Sequence, residues 1–136
     1  ESGAMGGEIS MLFGEAGRKK TELEARAKGT GHMRPKRRFI GAQTLAVLED
    51  GLWVNLAGHA NVKARELANA LCAHAGVTLA YPVDGNEVFA VLPDGMAERL
   101  RAGGARFYPW PGGSHRFVCA WTTSDEDIEA LRRALA

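Results

Sequence analysis

A chain of 136 residues, 46% hydrophobic and 24% charged, has the size and composition of one soluble globular domain with its own core. A net charge of +1 excludes a polycation, and no run of about 20 apolar residues exists to cross a bilayer. The opening residues, ESGAMGGEIS, lack the basic-then-apolar order of a secretory signal, so a cytoplasmic protein is expected. Cys72 and Cys119 lie far apart, and no cysteine–histidine pair has metal-ligand spacing. Both are expected as buried free thiols, and no metal site is expected.

Along the chain, GGEISMLFG (Gly6 to Gly14) predicts a short buried strand with Ile9, Met11, Leu12 and Phe13. EAGRKKTELEARAKG (Glu15 to Gly29) predicts a solvated helix with charges at i, i+4 and a stop at Gly29. Pro35 favours a first helical turn, so a second helix is expected from there to about Glu49, carrying Phe39, Ile40, Leu45 and Leu48. Asp50-Gly51 breaks it. A long helix follows, with Leu52, Leu56, Ala60, Ala64, Leu67 and Leu71 at helical spacing and Gly76 at its end. Gly58 inside it suggests a close approach by a neighbour. The remainder alternates: strand Val77 to Pro82, a turn at Asp84-Gly85-Asn86, strand Val88 to Leu92, a helix capped by Asp94 and stopped at Gly103-Gly104, then strands in ARFYPW and RFVCAWT (Arg116 to Thr122). Ser124 with Asp127 resembles a capping box opening a last helix with Ile128, Leu131 and Leu135. The order β-β-α-β-β-α predicts a small antiparallel sheet covered by helices on one face.

Two places can carry chemistry. KGTGHMRPKRRF (Lys28 to Phe39) lies in a basic stretch: Arg18, Lys19, Lys20, Arg26, Lys28, Arg34, Lys36, Arg37 and Arg38 are nine of the 17 basic residues, against only Glu22 and Glu24. Its glycines permit close backbone approach, and a helix N-terminus after Pro35 attracts phosphate. A solvated basic surface, an anion grip and a nucleic-acid patch all remain open. The last is weakened by the lack of nearby stacking aromatics and by the acidic balance elsewhere. Arg116, at the start of an apolar strand, is either a surface residue or a bidentate carboxylate clamp. His32, His59, His74 and His115 have no sequence-adjacent nucleophile or acid and read as structural or surface residues. Trp53, Trp110 and Trp121 are expected in the core or at an interface.

GAMGGEISMLF, RAKGTGHMRPKRRFIGAQTLAVLEDGLW, GNEVFAVLP and RFVCAWTTSDEDIEAL follow one another in an order and at intervals that resemble the C-terminal part of the pyridoxal-phosphate-dependent threonine aldolases, of the β-eliminating lyase group within fold type I. The resemblance implies an α/β fold in three parts: residues 1–34 as the end of the large cofactor-binding domain, 35–75 as linking helices and 76–136 as a small α+β domain. It implies a lyase that splits an L-threonine-type β-hydroxy-α-amino acid into glycine and an aldehyde, in a homodimer or homotetramer with active sites shared between subunits. By the same resemblance, Arg116 binds the substrate α-carboxylate. Arg34, Lys36 and Arg38, with His32 and Lys28 less securely aligned, serve the cofactor phosphate or a neighbouring subunit's active site. The Schiff-base lysine of the family falls at or beside Glu1, so no catalytic residue is assigned within the chain, and the isolated chain is expected to be inactive. Another lyase of the same group, a degenerate cofactor-free homologue, and a non-catalytic basic module for nucleic acid or phosphate are the competing readings.

Overall fold

The computed structural model describes residues 12–32 and 35–136, and its backbone divides into two units, Glu1–Leu52 and Trp53–Ala136. The strand expected around Ile9 and Met11, and Glu1 itself, lie outside the described residues.

In the first unit, Gly14–Lys19 form a 3₁₀ segment and α1 runs from Lys20–Gly29. The single α-helix expected from Glu15 therefore starts about five residues late. Gly17 is a weak helix former there, and 3₁₀ turns commonly precede an α-helix. No residue of α1 is buried, and it is laced by Lys20–Glu24 at 3.8 Å and Arg26–Glu22 at 2.8 Å, each one helical turn apart. Gly29 is the last helical residue and not the stop. The stop is Gly31, whose φ of +77° lets the His32 N–H reach the Ala27 carbonyl at 2.9 Å and the Gly31 N–H reach Lys28 at 3.3 Å. This is a Schellman ending, which needs the left-handed conformation glycine adopts at least cost.

Helix α2 spans Arg37–Leu48. It opens two residues beyond the expected Pro35, because Lys36 sits at φ 62°, ψ 30° and cannot belong to a right-handed helix. The expected break is present: Asp50 and Gly51 both have positive φ (52° and 69°).

The second unit begins on α3 (Leu52–Cys72) and continues through β1 (Thr78–Leu79), β2 (Glu87–Val91), α4 (Met96–Ala102), β3 (Tyr108–Trp110), β4 (Ser114–Val118) and α5 (Asp125–Leu135). The strands form one antiparallel sheet in the order β1-β2-β4-β3. Val88, Ala90, Phe117 and Cys119 point to one face and are buried with Ala64, Ala68 and Leu71 of α3, Met96 and Leu100 of α4, and Leu131 and Leu135 of α5. The helices thus cover one face, as the pattern predicts. No helix among the described residues is long and apolar enough to cross a membrane.

Three details differ from expectation. The strand RFVCAWT starts earlier, at Ser114, so Arg116 lies in mid-strand and not at an end. Cys72 is exposed on the last turn of α3, and only Cys119 is buried. Of the two places expected for Trp53, Trp110 and Trp121, the core is not one: all three are exposed.

Polar ties lock α3 to the start of α5. Lys63 is buried and donates to Glu66 at 2.7 Å and to Asp125. His59 Nε2 donates to the Thr123 carbonyl at 2.8 Å. The capping box is present: the Asp127 N–H donates to Ser124 Oγ at 3.2 Å, and the Ser124 N–H donates to Asp127 Oδ2 at 2.8 Å. Asn86 does more than turn the chain. Its Nδ2 donates to the Cys119 carbonyl at 2.8 Å and its carbonyl accepts from the Cys119 N–H at 2.9 Å, closing the β2–β4 ladder.

Glycine positions give opposite predictions. A Cβ at Gly58 would meet nothing within 4 Å, so no neighbour among the described residues approaches closely there. Gly58→Ala should stabilise by about 0.5–1 kcal/mol through helix propensity. A Cβ at Gly103 would lie 2.7 Å from Ala134 Cβ, across the α4–α5 contact. Gly103→Ala should destabilise by about 1–3 kcal/mol, and Ala134→Gly in the same molecule should recover part of that loss. Urea unfolding of the three variants checks both signs.

Candidate functional site

The helix-free face of the sheet is where polar and aromatic groups converge. On β4, Ser114, Arg116 and Val118 alternate away from the buried Phe117 and Cys119. The register places Phe89 of β2 and Tyr108 of β3 directly opposite Arg116, Glu87 opposite Val118, and Trp110 opposite Ser114. Arg116 is therefore flanked on both sides by aromatic residues, with an acid on the diagonal.

Its guanidinium uses these neighbours. Nη2 donates to Glu87 Oε1, forming an ion pair whose side chains are 31% and 37% exposed. Cζ lies 5.5 Å from the centre of the Trp110 ring. Trp110 and Phe89 meet across β4, with ring centres 5.3 Å apart, and Tyr81 adds an edge-on contact to Phe89 at 5.4 Å. Ser114, the small residue opposite Trp110, is buried at 3% exposure, and its Oγ has no hydrogen-bond partner. Arg116 Nε is likewise buried and unpartnered. Such orphaned donors beside a fixed cation suit a planar anion, which takes two parallel N–H bonds from a guanidinium.

The electrostatics follow from these contacts. The hydrogen bond from Arg116, with its charge, holds Glu87 below the usual carboxylate range against the opposing effect of burial. Behind the sheet, burial first and the Arg101 guanidinium second push His115 below the ordinary histidine range, so it is neutral at pH 7. Burial pushes the Cys119 thiol up to about 11, which removes it as a nucleophile. Lys63 is held protonated, first by its hydrogen bond to Asp125 and then by that to Glu66.

The expected basic residues occupy the other unit. Lys28 lies in the last turn of α1, His32 closes the Schellman turn, and Lys36 and Arg38 flank the start of α2; all four are exposed. Arg38 lies 4.9 Å over the Phe39 ring, and none of the four enters an ion pair among the described residues. Arg34 lies outside the described residues. Glu87, Ser114 and Trp110 were not expected as site residues. The signal was faint: Glu87 is the single acid in EVFAV, two positions from Phe89 and so on its face.

No family model matches the chain. It is 41% identical over 113 residues to the low-specificity L-threonine aldolase of Pseudomonas aeruginosa, across 82% of this chain and 33% of that protein. It is 36% identical over 133 residues to the low-specificity L-threonine aldolase of another Pseudomonas strain, across 96% of this chain and 38% of that protein. The chain therefore spans 33–38% of the length of these curated relatives. Among solved structures it is similar to the threonine aldolase of Leishmania major, with a TM-score of 0.69 and 28% identity, covering 81% of this chain and 34% of that one. The chain resembles the C-terminal part of the threonine aldolases, and its four-stranded antiparallel sheet with helices fits that α/β fold.

The Glu87 titration offers a direct check of the site's charges. Because its folded-state value is depressed, Glu87 favours the folded state at pH above the usual carboxylate range, and that contribution fades as pH falls through the depressed value. Carboxyl NMR should show Glu87 protonating at lower pH than an exposed glutamate, and Arg116→Ala should move that titration upward past the ordinary range, since burial then acts alone.

Proposed function

We propose that this chain supplies the substrate-carboxylate anchor and part of the phosphate electrostatics of a pyridoxal-phosphate-dependent lyase that splits an L-threonine-type amino acid into glycine and an aldehyde. The observation that carries the reading is Arg116: a guanidinium mounted in mid-strand, stacked against Trp110, with a buried Nε still to be satisfied.

The residues present fit one end of such a site and not the other. An anionic phosphate suits Lys36 and Arg38, exposed at the start of a helix whose N-cap, Lys36, gives no side-chain hydrogen bond to its first-turn N–H groups, with the exposed Lys28 and His32 shortly before them in sequence. The aldehyde of the cofactor needs a neutral amine. Lys63, the buried lysine among the described residues, is held protonated by two carboxylates and is unsuited to that role. Pyridoxal phosphate, when bound, supplies the electron sink for cleavage beside the amino-acid Cα. Arg116 then acts by position: gripping the α-carboxylate from a rigid strand fixes the rotation about Cα and so selects the bond that is cleaved. Phe89, Trp110 and Tyr108 line the approach with apolar surface, strengthening the charge contact by limiting water around it.

Two measurements on the full-length enzyme test this. Arg116→Ala should raise KM for L-threonine by about 10- to 100-fold, with Arg116→Lys intermediate, because a point charge does not reproduce the guanidinium fork. An unchanged KM would sink the assignment. The basic loop is proposed to serve the neighbouring subunit's site. If so, mixing Arg116→Ala subunits with Lys36→Ala/Arg38→Ala subunits should restore about a quarter of wild-type activity in a dimer, since hybrids carry one intact site. Sites confined to one subunit would regain none.

A further inference from the structure

We propose that Glu87 is a resident carboxylate that occupies the Arg116 guanidinium until an incoming carboxylate displaces it, so that the charge of Glu87 sets how tightly the site binds an anion. This rests on the reading of Arg116 as the carboxylate anchor and goes beyond it by adding a competitor built into the fold.

The geometry supplies the reasons. Glu87 is the one acid of β2, whose other outward residues are Phe89 and Val91, and its Oε1 is held by Arg116 Nη2. The pair is single-pronged: one oxygen meets one guanidinium nitrogen, while Nε stays unpartnered. A carboxylate taking two parallel N–H bonds from the guanidinium makes more than Glu87 makes, so exchange is favourable once a ligand arrives. Both side chains are about one-third exposed, so a ligand reaches them from solvent and Glu87 can swing outward without crossing a packed core. Two carboxylates beside one guanidinium repel, and that repulsion is the cost every anionic ligand meets here. Trp110, at 5.5 Å from Arg116 Cζ, holds the guanidinium in place when Glu87 leaves. Glu87 is therefore a residue that tunes affinity by opposing the ligand, and not a further ligand-binding group.

The test titrates the full-length protein with acetate, following tryptophan fluorescence, with Trp110→Phe identifying the reporter. Glu87→Gln, which keeps size and polarity but removes charge, should tighten acetate binding by about fivefold. Glu87→Ala should tighten it in the same direction. Arg116→Lys should weaken it by about tenfold. In steady-state assays, Glu87→Gln should lower KM for L-threonine with kcat unchanged, a split that a purely structural role would not give. If Glu87→Gln and Glu87→Ala bind acetate no tighter than wild type while Arg116→Lys binds it more weakly, the inference about Glu87 is overturned and the Arg116 anchor stands. If Arg116→Lys matches wild type, or no variant gives a saturable acetate response, the anchor reading falls and Glu87 with it.

Discussion

The pairing of β2 with β4 is the constraint on which the rest of the second unit depends. These strands are distant in sequence, separated by α4, β3 and a turn, yet they form the centre of the sheet. Their register sets Val88 against Phe117 on the buried face and Phe89 against Arg116 on the open face. A slip of one residue would invert both assignments, burying Arg116 and exposing Phe117. The register is pinned at one end by Asn86, whose side chain and backbone both bond to Cys119. It is pinned from behind by Leu71, Leu100 and Leu131, which accept only the apolar set of side chains. Loss of the Asn86 side chain would leave the Cys119 carbonyl without that donor at the edge of the core, a cost of about 1–3 kcal/mol.

Placing the helices behind the sheet follows from the same division. α3 buries Ala64, Ala68 and Leu71 in the core that Val88, Ala90 and Phe117 share from the sheet. α5 is fixed at its start by the Ser124–Asp127 box and by Lys63, which reaches from α3 to Asp125. Lys63 is costly to bury alone, and its two carboxylate partners explain why it is tolerated. The ties at Lys63, His59 and Asn86 all serve the helix side or the ladder ends. The open face is left free of them, and there Arg116 is held by one acid and by aromatic rings.

Much of this order was legible in the residues. The β-β-α-β-β-α sequence, the Asp50-Gly51 break and the Ser124–Asp127 box follow from local periodicity and capping chemistry, which depend on neighbours within about four residues. What was not legible depends on partners far along the chain. Arg116 read as a strand opener because the strand's start at Ser114 is set by pairing with Trp110, not by any local signal. Glu87 could be placed on a face but not opposite anything, since its partner is 29 residues away. Ser114 lies before the expected start of that strand and proved to be buried opposite Trp110. Gly29 and Gly31 were both glycines near a helix end, and only the hydrogen bonds of His32 and Gly31 show which one reverses the chain. Pro35 misplaced a helix start because the left-handed Lys36 overrode its preference.

The buried polar atoms without partners among the described residues lie on three consecutive residues of β4: Ser114 Oγ, His115 Nδ1 and Arg116 Nε. Leaving a buried polar group unsatisfied costs about 1–3 kcal/mol, so stability alone would not gather three of them on one strand segment. His115 has a local account, since it is half-buried, is neutral and sits edge-on to Phe107 at 5.4 Å. Ser114 and Arg116 have none on the helix side, because they face the other way. Their unmet hydrogen-bonding capacity lies on the open face, beside a cation already lent to Glu87. Under the proposed function, a ligand carboxylate on the Arg116 guanidinium would release Glu87 to solvent and offset part of that cost. Under the same proposal, the unpartnered Ser114 and Arg116 atoms are a stability cost accepted for ligand binding, carried by a sheet whose opposite face is well packed.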